Sequence, residues 1–432
     1  MMRKLGSLAA GLPLALLSLA GCAEQEPAIA PLAPPPAAAP APAPAPVVEA
    51  KKEEPKPVPL TAEQKVKFYQ DSWAAFNAKD FAKFQAMWAE NATSEMLDMG
   101  PPLVGPAAIT ETGAKGFAAG FPDVKGEAQL TLVNGNNVVG IVLLRGTNTG
   151  TSVTPMGPVP PTNKKIGFLA AHSIEVNDAG KAVKELVAYD GGTVAGQLGL
   201  MQMPHRKALE TGWTEKPIAV ATGSELEKSN LAAFNKGVEG FNKHDAGAAL
   251  AAAADDVVFS KQSAPADLTG KKEVQKGLEE SFKAFPDVKL EIKSAWSAGD
   301  YVVSVGTWSG TNTGDMPAMK LKKTGKAVSV HFIEVDKFVG GKTKNMWLFT
   351  NGAAAAAQLG LLPPPKAADA KGKPVAATAK PAAAPAAKAE PAAKPAAAPA
   401  MKAAPAPAPA APKAAAPAAP KAAPAPAPAP AK

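Results

Sequence analysis

The chain has 432 residues, a single Cys, 45 Pro and a formal net charge of +8. With one Cys, disulfides, thiolate nucleophiles and Cys-built metal sites are excluded from the domains that follow it. The positive charge does not point to nucleic acid: from Lys366 onward ten Lys face only Asp369 and Glu390, so the tail alone carries +8 and the remainder is neutral, and the tail has no aromatic residue to stack a base.

In chain order, Arg3 and Lys4 precede an apolar run over residues 5–19 that closes on Leu19-Ala20-Gly21-Cys22. The run is short for a transmembrane helix and reads as an export signal over residues 1–22. Its end resembles the lipobox of bacterial lipoproteins, which implies acylation of Cys22 and a lipid-anchored location in the cell envelope, with Ala23 favouring the outer membrane. Residues 23–60 are a Pro/Ala-rich spacer, predicted to be disordered because such composition cannot offset ordering entropy.

Helical spacing begins with Tyr69, Trp73 and Phe76, which predict a helix over residues 62–78. Asp80 reads as the N-cap of a second helix carrying Phe81, Phe84 and Trp88, and residues 107–119 as a third. A short strand is expected near residues 93–97. From Val124 the pattern turns to strands near residues 130–133, 138–144, 168–176 and 183–189, with an Asn-Gly turn at 134–135. After a connection over residues 201–223, containing Met203-Pro204 and Lys216-Pro217, the plan repeats. Helices are expected around Leu231, Phe234, Val238 and Phe241 and over residues 271–284, with strands near 288–294, 301–308, 328–335 and 344–350. Residues 363–432 form an Ala/Pro/Lys-rich tail, also predicted to be disordered.

The repetition extends to letters. Phe121-Pro122-Asp123-Val124 returns as Phe285-Pro286-Asp287-Val288, and Gly146-Thr147-Asn148-Thr149-Gly150 as Gly310-Thr311-Asn312-Thr313-Gly314. His172-Ser173-Ile174-Glu175-Val176 returns as His331-Phe332-Ile333-Glu334-Val335, and Gln197-Leu198-Gly199 as Gln358-Leu359-Gly360. A period this long is a whole domain, so residues 61–200 and 224–362 are two copies of one α+β fold.

This ordered set of motifs, present twice, resembles the SnoaL-like polyketide cyclase family of the nuclear transport factor 2-like superfamily. The resemblance implies two cone-shaped domains, each a curved antiparallel sheet wrapped on about three helices, with an apolar cavity suited to small molecules. It also implies acid–base work by an Asp near the end of the last strand, here Asp190, without metal or cofactor. His172, on the face of Ile174 and Val176, is the candidate partner that would hold a developing enolate. Asp190 before Gly191-Gly192 fits a helix cap equally well, as does Asn351 at the matching place in the second copy. His331, Asn351, Asn148, Asn312 and Trp347 complete the candidate ligand-contacting set. No phosphate loop, metal cluster or Ser-His-Asp arrangement is visible, so no cofactor or metal is expected.

Three functions compete: capture of a small apolar molecule, cofactor-free cyclase- or isomerase-like chemistry by Asp190 and His172 in the first copy, and an envelope scaffold whose basic tail touches an anionic cell-wall polymer. Binding is favoured, because Asn351 cannot replace Asp190 as a base. The two domains are also expected to be able to pair within the chain.

Overall fold

The computed structural model describes residues 59–154, 157–202 and 204–362. Cys22, the spacer and the tail lie outside these residues.

Helix α1 (Ala62–Ala78) starts at a capping box in which Thr61 and Gln64 satisfy each other's backbone N–H, and it stops where Lys79 turns left-handed at φ 60°. Asp80 caps α2 (Phe81–Ala86) through Lys83 N. Strands β1 (Trp88–Met96) and β2 (Leu103–Val104) follow, then α3 (Gly105–Ala108), a π-helical turn at Ile109–Lys115, and α4 (Gly116–Gly120). Strands β3 (Lys125–Asn134) and β4 (Asn137–Thr147) form a hairpin, β5 (Ser152–Thr154) and β6 (Gly157–Val159) a small ribbon, and β7 (Lys165–Val176) and β8 (Ala182–Ala188) a second hairpin before α5 (Gly191–Gln197).

Strand β9 (Ile218–Val220) lies in the connection and adds to the edge of the first sheet; the repeat then runs α6 (Glu225–Asn242), α7 (Ala246–Ala249), β10 (Ala253–Lys261), β11 (Leu268–Thr269) and α8 (Lys271–Ala284). Strands β12 (Lys289–Ala298), β13 (Tyr301–Thr311), β14 (Ala327–Val339) and β15 (Lys342–Thr350) precede α9 (Gly352–Gln358). The sheets run β2-β1-β8-β7-β4-β3-β9 and β11-β10-β15-β14-β13-β12. Their strands are antiparallel apart from β1 on β8, β10 on β15 and β9 on β3. These strands enter from helices or a long connection, where no tight hairpin fixes direction.

The shared motifs clamp this fold. Asp123 Oδ1 accepts from Thr147 N at 2.6 Å and Asp287 Oδ1 from Thr311 N at 2.6 Å, tying Phe-Pro-Asp-Val to the end of the Gly-Thr-Asn-Thr-Gly strand. Gln197 brackets both backbone groups of Gly167, and Gln358 those of Ser329.

Each sheet is covered on both faces. One face holds the helices; the other meets the second sheet in a joint core of Leu97, Leu130, Ile141 and Leu169 with Val303, Ile333, Val335 and Phe349. Burial on both faces explains the unbroken apolar runs at residues 138–144 and 166–171. The connection between domains is tied to both. Leu209 N donates to Gly167 O, Arg206 reaches Lys261 O and Asp267, and Trp213 stacks on Trp347 with ring centroids 4.9 Å apart.

Candidate functional site

Between the helices and the inner face of the first sheet lies a cavity of ≈ 140 Å³. Its walls are apolar: Phe68, Phe76, Phe84, Trp88, Phe117 and Phe168 stand among its lining residues. The π-helical turn contributes Ile109, Gly113 and Ala114. The second copy spans the same interval with one residue fewer and forms the uninterrupted α8, so the extra residue is absorbed as the π turn at the cavity wall.

Three polar residues break the apolar lining in one place. Ser94 Oγ donates to Glu185 Oε2 at 2.6 Å, and His172 Nδ1 meets Glu185 Oε1 at 2.9 Å. All three are buried, at 7%, 8% and 8% exposure. In the tautomer in which Nδ1 donates to Glu185, Nε2 is the acceptor of the ring. His172 Nε2 has no hydrogen-bond partner, and neither do the neighbouring Trp73 Nε1 and Tyr69 hydroxyl. Trp73 stands edge-on to the His172 ring, centroids 5.1 Å apart. Burial pushes the Tyr69 phenol above its ordinary range, against a smaller opposing effect of Trp73 and with a still smaller push from the Glu185 charge.

Two glycines make room for this group. A Cβ on Gly140 would fall 2.1 Å from the Tyr69 hydroxyl, and one on Gly126 would fall 2.2 Å from the Trp73 ring. Both aromatic rings therefore lie directly on the sheet, where side chains would otherwise stand.

The candidates from sequence fall in different places. His172 lines the cavity, whereas Asp190 is not among its lining residues. Asp190 accepts from Gly192 N and Thr193 N at the start of α5, and its Oδ1 also accepts from Gly352 N of the second domain at 2.8 Å. Asn351 caps α9 and donates to Asp98 O across the same junction. Asn148 and Asn312 are fully buried loop clamps: Nδ2 of Asn148 donates to Gly120 O and Gly150 O, and Nδ2 of Asn312 to Ala284 O and Gly314 O. Trp347 packs on Trp213 beside the joint core.

His331 requires a correction. The sheet register places Ile166 opposite Gly146 and Val328 opposite Gly310, so counting along each strand sets His172 against Glu334 and His331 against Leu169. The repeated letters around the two histidines are therefore out of structural register. His331 shares the interdomain face with Ile333 and Val335, and its Nδ1 pairs with Asp98 Oδ1 at 2.8 Å.

The cavity is also lined by polar residues that sequence reasoning did not select, Ser94 and Glu185. Glu185 was legible in principle, because alternation puts it on one face with Val187 and Tyr189. Asp190 instead shares the face of Leu186 and Ala188, which is apolar because it meets the other domain.

Residues 63–198 and 233–359 each match the family described as SnoaL-like polyketide cyclase. The chain belongs to that family, in two tandem copies. Among solved structures, the SnoaL-like chain is similar to AclR from Streptomyces galilaeus, with 28% identity and a TM-score of 0.29, covering 32% of this chain and 88% of that one. It is similar also to a SnoaL-like protein from Jannaschia sp. CCS1, with 16% identity and a TM-score of 0.31, covering 33% and 99%. TsrD from Streptomyces laurentii is another, at 18% and 0.29, covering 31% and 97%. A search of curated proteins returns no match. Among the described residues of this SnoaL-like chain there is no group of three or more His, Cys, Asp or Glu able to hold a metal, and no helix is long and apolar enough to cross a membrane.

Proposed function

We propose that the first domain captures a small, largely apolar molecule bearing one hydroxyl-type donor, and that His172 Nε2 receives that donor. The observation that carries this reading is the unpartnered Nε2 inside an apolar cavity, with Nδ1 already committed to Glu185. An empty apolar space of about 150 Å³ accommodates a benzene-sized body. The fully enclosed part of the ligand should therefore be about one ring. A bond from a ligand hydroxyl to Nε2 should contribute about 1 kcal/mol, roughly a five- to tenfold preference over the isostere lacking it.

The test compares p-cresol with toluene by NMR titration of the full chain. p-Cresol should bind more tightly, and His172→Phe should erase the preference while leaving toluene within about threefold. Equal binding of the two probes by the unmodified chain would remove His172 from the account.

One observation also supports proton-transfer chemistry. A neutral imidazole oriented by a carboxylate is a general base, and family resemblance favours cofactor-free reactions. In this reading His172 takes the base role, and Asp190 only helps build the fold. Deuterium uptake from D₂O at the activated methylene of phenylacetone checks it. Catalysed exchange that survives Asp190→Asn and vanishes in His172→Gln supports chemistry. Its absence in the unmodified chain leaves binding alone.

The Leu19–Cys22 signature supports placing these domains on the cell envelope through an N-terminal lipid, with the basic tail available to anionic wall polymers. Cys22→Ser should release the protein from the membrane fraction, and truncation after Leu362 should weaken association with isolated cell wall. Unchanged fractionation in either variant contradicts the corresponding part.

A further inference from the structure

The second copy does not repeat the polar array of the first. Counting along the paired strands, Glu334 takes the place of His172, Asp336 that of Ile174, Met346 that of Glu185, and Ser304 that of Gly140. Phe259 takes the place of Ser94, since each pairs with the second residue of its substituted counterpart, Glu185 or Met346. The base array has been replaced by two carboxyls on one face of β14.

That inward face carries an unusual set of unanswered polar atoms. Asp336 is 3% exposed and its Oδ1 has no hydrogen-bond partner. Ser304 is 1% exposed and its Oγ has none; it stands directly opposite Glu334 in the β13–β14 ladder, so the two side chains share a face. Asn230 is 1% exposed, and both atoms of its amide are unpartnered. It lies one turn before Phe234 on α6, and Phe234 packs on Val302, the residue opposite Asp336. Among the described residues no Lys, Arg or His forms an ion pair with Glu334 or Asp336.

Each buried polar atom left without a partner costs about 1–3 kcal/mol, and these four call for an occupant. The occupant's chemistry follows from the donors. Two carboxyls, an amide oxygen and a hydroxyl ask for a cation that donates hydrogen bonds. The surroundings are apolar: Phe259, Met346 and Leu348 line the same side and each keeps part of its surface accessible, as does Glu334. A bare metal ion would find few ligands among such walls, whereas an ammonium carrying a hydrocarbon body would satisfy both the carboxyls and the apolar rim.

We infer that the second domain holds a distinct acidic site for a small organic cation, a protonated amine with an apolar substituent, bound through Glu334 and Asp336 with Ser304 and Asn230 as further partners. The duplicated fold then presents two unlike polar groups on the helix-covered faces of its sheets, one built around a base and one around a pair of acids. Burial, reinforced for Asp336 by the Glu334 charge, raises both carboxyls above their ordinary range, and a bound ammonium would reverse that penalty.

The experiment titrates the full chain with benzylamine and with its neutral near-isostere benzyl alcohol, following both by calorimetry and by NMR. At the NMR resonances of the second domain benzylamine should bind saturably at pH 7 at least tenfold more tightly than benzyl alcohol, which the first domain also takes up as a hydroxyl donor. Glu334→Gln and Asp336→Asn should each weaken benzylamine at least tenfold. Near-UV circular dichroism confirms folding of each variant, and if Asp336→Asn fails to fold, Glu334→Gln alone decides. Equal affinity for amine and alcohol, no saturable binding of benzylamine, or undiminished binding in folded Glu334→Gln each overturns the inference. p-Cresol binding in the first domain is measured in parallel, so failure of either site is seen independently of the other.

Discussion

Asp190 is the residue whose removal separates architecture from chemistry. Its carboxylate accepts from Gly192 N, from Thr193 N at 2.7 Å and from Gly352 N at 2.8 Å, the last across the domain junction. Replacement by Ala removes a helix cap, which costs about 1–2 kcal/mol. It also strands the half-buried Gly352 N–H at the junction, for about 1–2 kcal/mol more. Together Asp190→Ala should lower stability by about 2–4 kcal/mol. Asp190→Asn keeps one acceptor oxygen, as Asn351 does for α9 with Ala354 N, and should lose only about 1 kcal/mol. Equilibrium urea unfolding followed by tryptophan emission measures both, with p-cresol binding recorded on the folded variants. The reasoning fails if Asp190→Ala leaves stability within about 0.5 kcal/mol of the unmodified chain. It fails equally if either variant stays folded and loses p-cresol.

Other perturbations address the remaining contacts. Asn148→Ala should destabilise the first domain by about 3 kcal/mol in urea unfolding, because the carbonyls of Gly120 and Gly150 lose their shared donor. Asp98→Ala removes the acceptor of both His331 N and His331 Nδ1, and should cost about 2–3 kcal/mol while leaving p-cresol affinity intact. Gly140→Ala drives a methyl into the Tyr69 hydroxyl and should cost at least about 2 kcal/mol, with partial recovery in the double variant carrying Tyr69→Phe. Desolvation raises the half-buried Glu334 carboxyl from 4.5 to about 7. The folded chain then holds a proton that the unfolded chain has released between those values. In amine-free buffer stability should therefore fall as pH rises through that window, and Glu334→Gln should flatten the slope.

Much of the fold could be read from the repeated letters, because those letters are what hold it together. Asp123 and Asp287, Asn148 and Asn312, and Gln197 and Gln358 all close the same loops in both copies, and a clamp that works once works twice. The helix starts at Ala62 and Phe81 were legible for a similar reason, since Thr61 and Asp80 are local caps that need no tertiary context. The candidate site was less legible because apolar alternation does not say which face is which. In this paired arrangement the strand face of Leu186, Ala188 and Asp190 is as apolar as the face of Val187 and Tyr189, yet only the second borders the cavity. The unbroken run of residues 138–144 carried the missing hint that both faces are covered. His331 misled through letter identity: the match with His172 holds in the alphabet and slips in the ladder, where Glu334 is the true counterpart. The polar groups that face the helices sit where the copies differ.

The central claim is that His172 Nε2 is an acceptor waiting for a ligand donor. The most direct measurement is the ¹⁵N resonance of His172 Nε2 in labelled full-length protein during titration with p-cresol. The account predicts an unprotonated, unbonded nitrogen in the free protein that shifts in the direction of hydrogen-bond acceptance as the probe saturates, while the Nδ1 signal stays in place. Saturable binding that leaves the Nε2 resonance unmoved, or an Nε2 already protonated in the free protein at neutral pH, would contradict it.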